Sequence, residues 1–122
     1  MAHVWIIDDN AEMAQAVRLM VELLGHTGEV FTSAADAEQA LLERTPPQII
    51  LLDLNMPTVS GDEFLQSVRR RNEFADIRIV MLTSEFAESE RERLLSLGAD
   101  NYLTKPIDLD DLEKALADLD TA

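Results

Sequence analysis

Short apolar runs alternate along this chain with longer segments in which apolar residues recur every three or four positions. Several of the runs are rich in β-branched side chains and contain no polar residue, which is typical of strands buried on both faces of a sheet. We predict five strands, at residues 4–7, 29–32, 49–52, 77–82 and 101–103. The second of these is the weakest by this criterion, and the fifth is the shortest.

The segments that follow the strands have the spacing and the end signals of helices. The second helix is predicted at residues 35–44, the third from about residue 62 and the fourth at residues 85–97. Capping or helix-ending residues lie at the boundaries, among them Asn10, Gly25, Pro46, Gly98 and Asp108. Five strand–helix units in this order predict an α/β fold, a doubly wound parallel sheet of five strands with helices on both faces.

Composition narrows the class of protein. The chain has 122 residues, so we expect a single domain, residues 1–122, with one core. It carries 10 Lys and Arg against 24 Asp and Glu, a formal charge of −14, which argues against direct binding to nucleic acid. There is no cysteine, which excludes disulfides and thiolate chemistry, and no apolar run is long enough to span a membrane. The first residues do not resemble a signal peptide, and we expect a cytoplasmic protein.

Polar side chains follow four of the five predicted strands. Asp8 and Asp9 come after the first strand, Asp53 after the third, Thr83 after the fourth and Lys105 after the fifth. Each residue alone could be a helix cap or an ordinary surface residue. Because ligands of doubly wound sheets bind at the carboxyl ends of the strands, we expect these five side chains to form one site.

Three carboxylates in one place need a counter-ion or protons. Two carboxylates about 4 Å apart repel by roughly 4 kcal/mol at an effective dielectric near 20. A set of oxygen ligands favours Mg²⁺ over zinc or a softer metal. A metal beside a free carboxylate, a hydroxyl and an ammonium group suits phosphoryl transfer to an aspartate, since these groups neutralise the charge on the phosphoryl oxygens.

Four segments in order carry a resemblance to the receiver domain of two-component response regulators. These segments are Ile6-Ile7-Asp8-Asp9-Asn10, Leu51-Leu52-Asp53-Leu54-Asn55-Met56-Pro57, Met81-Leu82-Thr83-Ser84 and Gly98-Ala99-Asp100-Asn101-Tyr102-Leu103-Thr104-Lys105-Pro106. Gly61 stands at the expected turn, while Ser84 and Asn101 are minor departures from the family's common residues. The resemblance covers residues 4–119 and implies a (βα)5 flavodoxin-like fold with strand order 2-1-3-4-5.

The resemblance implies a role for each residue of the predicted site. Asp53 would accept a phosphoryl group from a phosphohistidine, and Thr83 and Lys105 would bind its oxygens. Asp8 and Asp9 would hold Mg²⁺, and the metal's ligands would also include Asp53 and the backbone carbonyl of Asn55.

Three further features follow from the same resemblance. Tyr102 is similar to the family's aromatic switch, whose ring moves inward when Thr83 is drawn to the phosphate. The Lys105–Pro106 bond resembles the family's cis peptide. Asn55 and Glu85 should tune the lifetime of the phosphoryl group by binding and ordering an attacking water.

The family also implies partners. The phosphoryl donor would be a sensor histidine kinase or a histidine phosphotransfer protein. A downstream protein target or a linked output domain would read the surface of the fourth helix, fifth strand and fifth helix. The charged residues of this surface could equally form a solvated face, and a phosphorylation-dependent dimer stays open. No direct contact with nucleic acid or a membrane is expected, and Met1 directly before the first strand favours a stand-alone regulator.

Other functions fit the residues less well. A haloacid-dehalogenase-like Mg²⁺ phosphatase would also use Asp53 as nucleophile, but it needs an acid where this chain has Asn55. An FMN carrier would need a Gly- and Ser/Thr-rich loop in place of Asp8-Asp9-Asn10, and a purely scaffolding receiver would not need the complete acceptor set. We therefore expect a signalling protein that promotes only its own phosphorylation and dephosphorylation. The basic run at residues 69–71 is expected to be a solvated helix end.

Overall fold

Strands and helices alternate throughout the computed structural model, which describes residues 1–56, 59–84 and 87–120. A short 3-10 helix, Asn72–Phe74, precedes the fourth strand. The elements, in chain order, are β1 (His3–Ile7), α1 (Ala11–Leu23), β2 (Thr27–Phe31), α2 (Ala34–Glu43), β3 (Ile49–Asp53), α3 (Gly61–Arg69), β4 (Arg78–Thr83), α4 (Glu88–Ser96), β5 (Asn101–Thr104) and α5 (Leu109–Asp120).

The five strands form one parallel sheet in the order β2-β1-β3-β4-β5, so the predicted fold is confirmed. The strand order reverses between β1 and β3, which are neighbours in the sheet although α1, β2 and α2 separate them in the chain. In the register of the sheet, Asp53 lies beside Leu82 and Thr83 lies beside Thr104. The carboxyl ends of β1, β3, β4 and β5 therefore meet along one edge, the position at which such sheets bind ligands.

The core has two layers because both faces of the sheet are covered. Helices α1 and α5 pack on one face through Val17, Val21, Leu112 and Leu116, and the helices α2, α3 and α4 pack on the other. The central strands are buried on both faces, which is the reason why their sequences are continuous apolar runs. No helix in the described part of the chain is long and apolar enough to cross a lipid bilayer.

Some predicted boundaries are wrong. β2 begins at Thr27 instead of residue 29, because its first residues pair with the start of β1 and the half-exposed edge carries no apolar signal. α4 is described from Glu88, and the predicted start at residue 85 lies outside the described residues.

The basic run at residues 69–71, where α3 ends, is also not a simple solvated end. Arg69 is largely buried and donates to the Gly98 carbonyl at 2.8 Å and to Oδ2 of Asp100 at 3.0 Å. Its side chain therefore links the end of α3 to the loop before β5. Nothing in the local sequence distinguishes it from the exposed Arg70 and Arg71.

Candidate functional site

Three carboxylates converge where β1 and β3 end. Asp8 and Asp53 are 1% and 2% exposed, while Asp9 is exposed to solvent. One carboxylate oxygen from each of the three lies within 4.8 Å of the others. Because β1 and β3 are adjacent, their apolar runs end side by side and deliver these acids to the same place.

Backbone N–H groups help to orient two of these acids. The N–H of Asn10 donates to Oδ1 of Asp8 at 2.9 Å, and Asn10 itself caps α1 by accepting from the N–H of Met13 at 3.1 Å. The N–H of Asn55 donates to Oδ1 of Asp53 at 3.4 Å. The loops after β1 and β3 thus turn directly at the site.

One cation faces the acidic cluster. The Lys105 Nζ atom donates to Oδ1 of Asp53 at 2.8 Å and lies 3.6 Å from Oδ2 of Asp8. The start of the loop that carries Lys105 is fixed by β4, because the Lys105 N–H donates to the Thr83 carbonyl at 2.7 Å. The peptide bond from Lys105 to Pro106 is cis, in agreement with the sequence-based expectation.

The other predicted site residues lie in different surroundings. Thr83 is fully buried at the carboxyl end of β4. Tyr102 lies in β5 beside Met81, and its half-buried ring packs against the core on the α2, α3 and α4 face. Asn55 is exposed, and Glu85 lies outside the described residues.

The pKa values of Asp53 and Lys105 are both raised, for different reasons. Burial raises the pKa of Asp53, and the negative charge of Asp8 adds to this effect, against the hydrogen bond from Lys105. Burial alone would lower the pKa of Lys105, but the hydrogen bond to Asp53 and the charges of Asp53 and Asp8 raise it. The lysine is therefore a stable cation beside carboxylates that repel one another.

The donor set fits a hard divalent cation. Oδ2 of Asp8 is buried and has no hydrogen-bond partner among the described residues, and Lys105 Nζ lies 3.6 Å from it, beyond hydrogen-bond distance. A buried carboxylate oxygen without a donor is costly unless a cation coordinates it. Together with the neighbouring oxygens of Asp9 and Asp53, it forms the oxygen-only type of site that Mg²⁺ prefers.

Two contacts near the site were not expected from the sequence. A Cβ at Gly61 would collide with the backbone oxygen of Asp53 and lie 2.7 Å from Cα of Leu54, so α3 begins directly against the acid. Arg93 in α4 lies 3.1 Å from Asp62 in the first turn of α3. A pair of charges 31 residues apart leaves no local signal in a single sequence.

The sequence pattern of the response regulator receiver domain matches residues 4–117. The chain is 35% identical over 118 residues to the sensor histidine kinase TmoS of Ectopseudomonas mendocina, covering 95% of this chain and 12% of TmoS. It is 35% identical over 107 residues to the phosphate regulon transcriptional regulatory protein PhoB of Rhizobium meliloti, covering 88% of this chain and 47% of PhoB. The chain thus spans less than half the length of these relatives.

A solved structure shows the same fold. The receiver domain of the sensor histidine kinase PA1611 of Pseudomonas aeruginosa superposes with a TM-score of 0.87 at 22% identity, covering 99% of this chain and 98% of that domain. In that crystal structure a magnesium ion is coordinated in the active site cleft. The chain is a doubly wound α/β protein with an acidic cluster at the carboxyl edge of its sheet, and it belongs to the response regulator receiver domain family.

Proposed function

We propose that this chain acts as one receiver domain and is a phosphorylation-dependent switch whose acceptor is Asp53. One observation carries the proposal. The Asp53 carboxylate lies at the carboxyl edge of the sheet with Lys105 Nζ 2.8 Å away and two further carboxylates beside it. Membership of the receiver family supports the same function, since receiver domains serve both response regulators and histidine kinases.

The transfer requires an activated phosphoryl donor. A carboxylate oxygen of Asp53 forms a bond to phosphorus while the bond from phosphorus to the imidazole nitrogen of a phosphohistidine breaks. The imidazole keeps the electron pair of that bond and takes up a proton. Lys105 and the Thr83 hydroxyl bind the phosphoryl oxygens and stabilise the charge that they carry during transfer.

Asp8, Asp9, Asp53 and the backbone carbonyl of Asn55 would hold Mg²⁺. When bound, the ion neutralises the acidic cluster and the phosphoryl oxygens. The exposed position of Asp9 keeps the cluster open to solvent on one side. The buried Oδ2 of Asp8, which has no hydrogen-bond partner in the described part of the chain, supports the assignment of Asp8 as a ligand.

Phosphorylation is then read at another surface. Drawing Thr83 towards the phosphoryl group leaves room for the Tyr102 ring to move inward and changes the surface of α4, β5 and α5. The donor is a sensor histidine kinase or a histidine phosphotransfer protein, and a downstream target or a linked output domain reads this surface. Its relatives among kinases and transcriptional regulators support both types of partner.

The test uses acetyl phosphate as donor and intact-mass spectrometry as readout. With Mg²⁺, the wild-type protein should gain one phosphoryl group, and chelation of the metal should prevent the gain. Asp53→Asn should gain none, while Asp76→Asn, an equal charge change at an exposed residue, should behave like wild type. Phosphorylation of Asp53→Asn at the wild-type rate would contradict the assignment, and steady turnover of p-nitrophenyl phosphate would indicate a phosphatase instead.

We also propose that Asn55 and Glu85 of this chain tune the lifetime of the phosphoryl group. The side chain at residue 55 is exposed beside Asp53 and can bind an attacking water. Asn55→Arg should therefore slow the loss of the phosphoryl group, measured by mass after the donor is removed. An unchanged rate would exclude this role.

A further inference from the structure

Helix α4 is attached to the rest of the molecule by few apolar contacts. Of its nine residues, only Leu94 is buried, whereas the nine residues of α3 include four that are buried. Leu97, just after α4, is partly buried against the same core. Packing alone therefore holds α4 less firmly than α3.

An ion pair between helices supplements this packing. Nη1 of Arg93 lies 3.1 Å from Oδ2 of Asp62 in the first turn of α3, while Nη2 lies 2.7 Å from the carboxylate of Glu90, one turn earlier in α4. A hydrogen bond from the Ser60 hydroxyl and the contact with Arg93 lower the pKa of Asp62. Asp62 is therefore charged at neutral pH and available to hold the guanidinium group.

Asp62 directly follows the residue that touches the proposed acceptor. The N–H of Gly61 donates to the Leu54 carbonyl at 2.9 Å, and no side chain fits between Gly61 and the backbone of Asp53. The first turn of α3 therefore lies in direct contact with the backbone of the segment that carries Asp53. The ion pair between Asp62, in that turn, and Arg93 then connects it directly to α4.

We propose that the ion pair between Asp62 and Arg93 holds α4 against the start of α3 and couples the position of α4 to the segment that carries Asp53. This inference concerns regulation of the site and rests on the proposed function, in which α4 belongs to the surface that a partner reads. Coupling between two sites is reciprocal. A partner that displaces Arg93 from Asp62 therefore changes the affinity of the acceptor site for a phosphoryl analogue.

Hydrogen exchange of the α4 amides tests the link in the full chain. Asp62→Asn and Arg93→Gln each remove the ion pair. Because the Arg93 side chain is 42% exposed, the ion pair is a weak one, and the α4 amides should exchange about two- to fivefold faster in each variant. The double variant should exchange no faster than Arg93→Gln alone. Additive effects in the double variant would overturn the proposal.

Arg91→Gln is the matched control. Arg91 lies on the same helix and pairs with Glu88 three residues earlier, as Arg93 pairs with Glu90, but it makes no ion pair with α3 in the described part of the chain. This variant removes the same charge from α4 but keeps the ion pair between Asp62 and Arg93. Exchange in α4 should therefore stay close to the wild-type rate. Equal effects of Arg91→Gln and Arg93→Gln would assign the change to helix stability and overturn the proposal.

Beryllofluoride with Mg²⁺ separates the link from the proposed function. In wild type, this phosphoryl analogue should change the exchange of α4, and the change should be at least halved in Asp62→Asn and Arg93→Gln. An undiminished change in these variants would overturn the coupling. If wild type shows no response to beryllofluoride anywhere, the proposed function fails, while the exchange of the variants without the analogue still measures the ion pair.

Discussion

The carboxylates at the two ends of the parallel sheet have opposite electrostatic surroundings. At the amino-terminal end, Asp100 has Arg69 Nη2 at 3.0 Å and Arg78 Nη1 at 3.6 Å, and it accepts from the Ile79 N–H at 2.8 Å. One negative charge thus faces two positive charges and a backbone donor. At the carboxyl-terminal end, three carboxylates face the single ammonium group of Lys105, and one buried oxygen has no hydrogen-bond partner among the described residues.

The difference separates stability from function within one sheet. The amino-terminal end joins α3, β4 and the loop before β5 through satisfied hydrogen bonds and ion pairs. The carboxyl-terminal end concentrates like charges around two buried carboxylates, and their mutual repulsion disfavours the folded state unless a cation offsets it. Such local destabilisation is typical of sites that bind ligands.

The largest difference in stability between the two ends is expected when a glycine at each end is replaced by alanine. Gly61→Ala should lower the free energy of unfolding by about 3 kcal/mol or more, because the new Cβ meets backbone at Asp53 and Leu54. Gly28→Ala, at the amino-terminal end of β2, should lower it by less, about 1–2 kcal/mol, since the atom nearest to the new Cβ is a side-chain atom, Cγ of Arg18 at 2.9 Å. Urea unfolding measures both, and equal costs would contradict the comparison.

Mg²⁺ should stabilise the folded protein through the carboxylates at the carboxyl-terminal end of the sheet alone. At a free Mg²⁺ concentration about 100 times its Kd, the free energy of unfolding should rise by about 2.7 kcal/mol in wild type. Asp100→Asn should show the same gain from a lower baseline, whereas Asp8→Asn should lose most of it. A full gain in Asp8→Asn, measured by urea unfolding with and without Mg²⁺, would remove Asp8 from the ligand set.

Without Mg²⁺, an Asp→Asn substitution should change the free energy of unfolding in opposite directions at the two ends of the sheet. Asp8→Asn removes repulsion from Asp9 and Asp53, which outweighs the weaker contact with Lys105 at 3.6 Å, and should raise the free energy of unfolding by about 1 kcal/mol. Asp100→Asn weakens its contacts with two arginines and should lower it by about 1–2 kcal/mol. Chemical unfolding in EDTA compares the two, and effects of the same sign would refute the contrast.

The smallest effect on stability is expected for the exposed ion pair between Glu29 and Arg44. The hydrogen bond from Arg44 lowers the pKa of Glu29 below its ordinary value of 4.5. This pair therefore stabilises the folded state above pH 4.5, and the contribution disappears as the pH falls through the lowered pKa. Wild type should lose slightly more thermal stability than Glu29→Gln on acidification below that value, and identical pH profiles would show that the pair contributes nothing.

Much of this architecture could be predicted from single residues and their order. The apolar runs of β1, β3 and β4 are long enough to identify strands buried on both faces, and Asn10 and Asp108 cap the helices that were expected to follow them. The edge strand β2 was misplaced because a half-exposed edge is weakly patterned. Arg69 was misjudged because its partners, Gly98 and Asp100, are brought near only by folding.

The sequence by itself determined the order of five strand–helix units and the chemistry at the end of each strand. These properties are local, since each depends on a run of neighbouring side chains. The tertiary structure alone decided which oxygen of Asp8 lacks a hydrogen-bond partner among the described residues, which acid Lys105 contacts, and how Arg93 reaches Asp62. Those contacts join residues far apart in the chain, and their distances depend on the packing of the helices against the sheet. The acids at the carboxyl edge were therefore recognisable from their positions, while their electrostatic imbalance became visible only against the matched charges of the opposite edge.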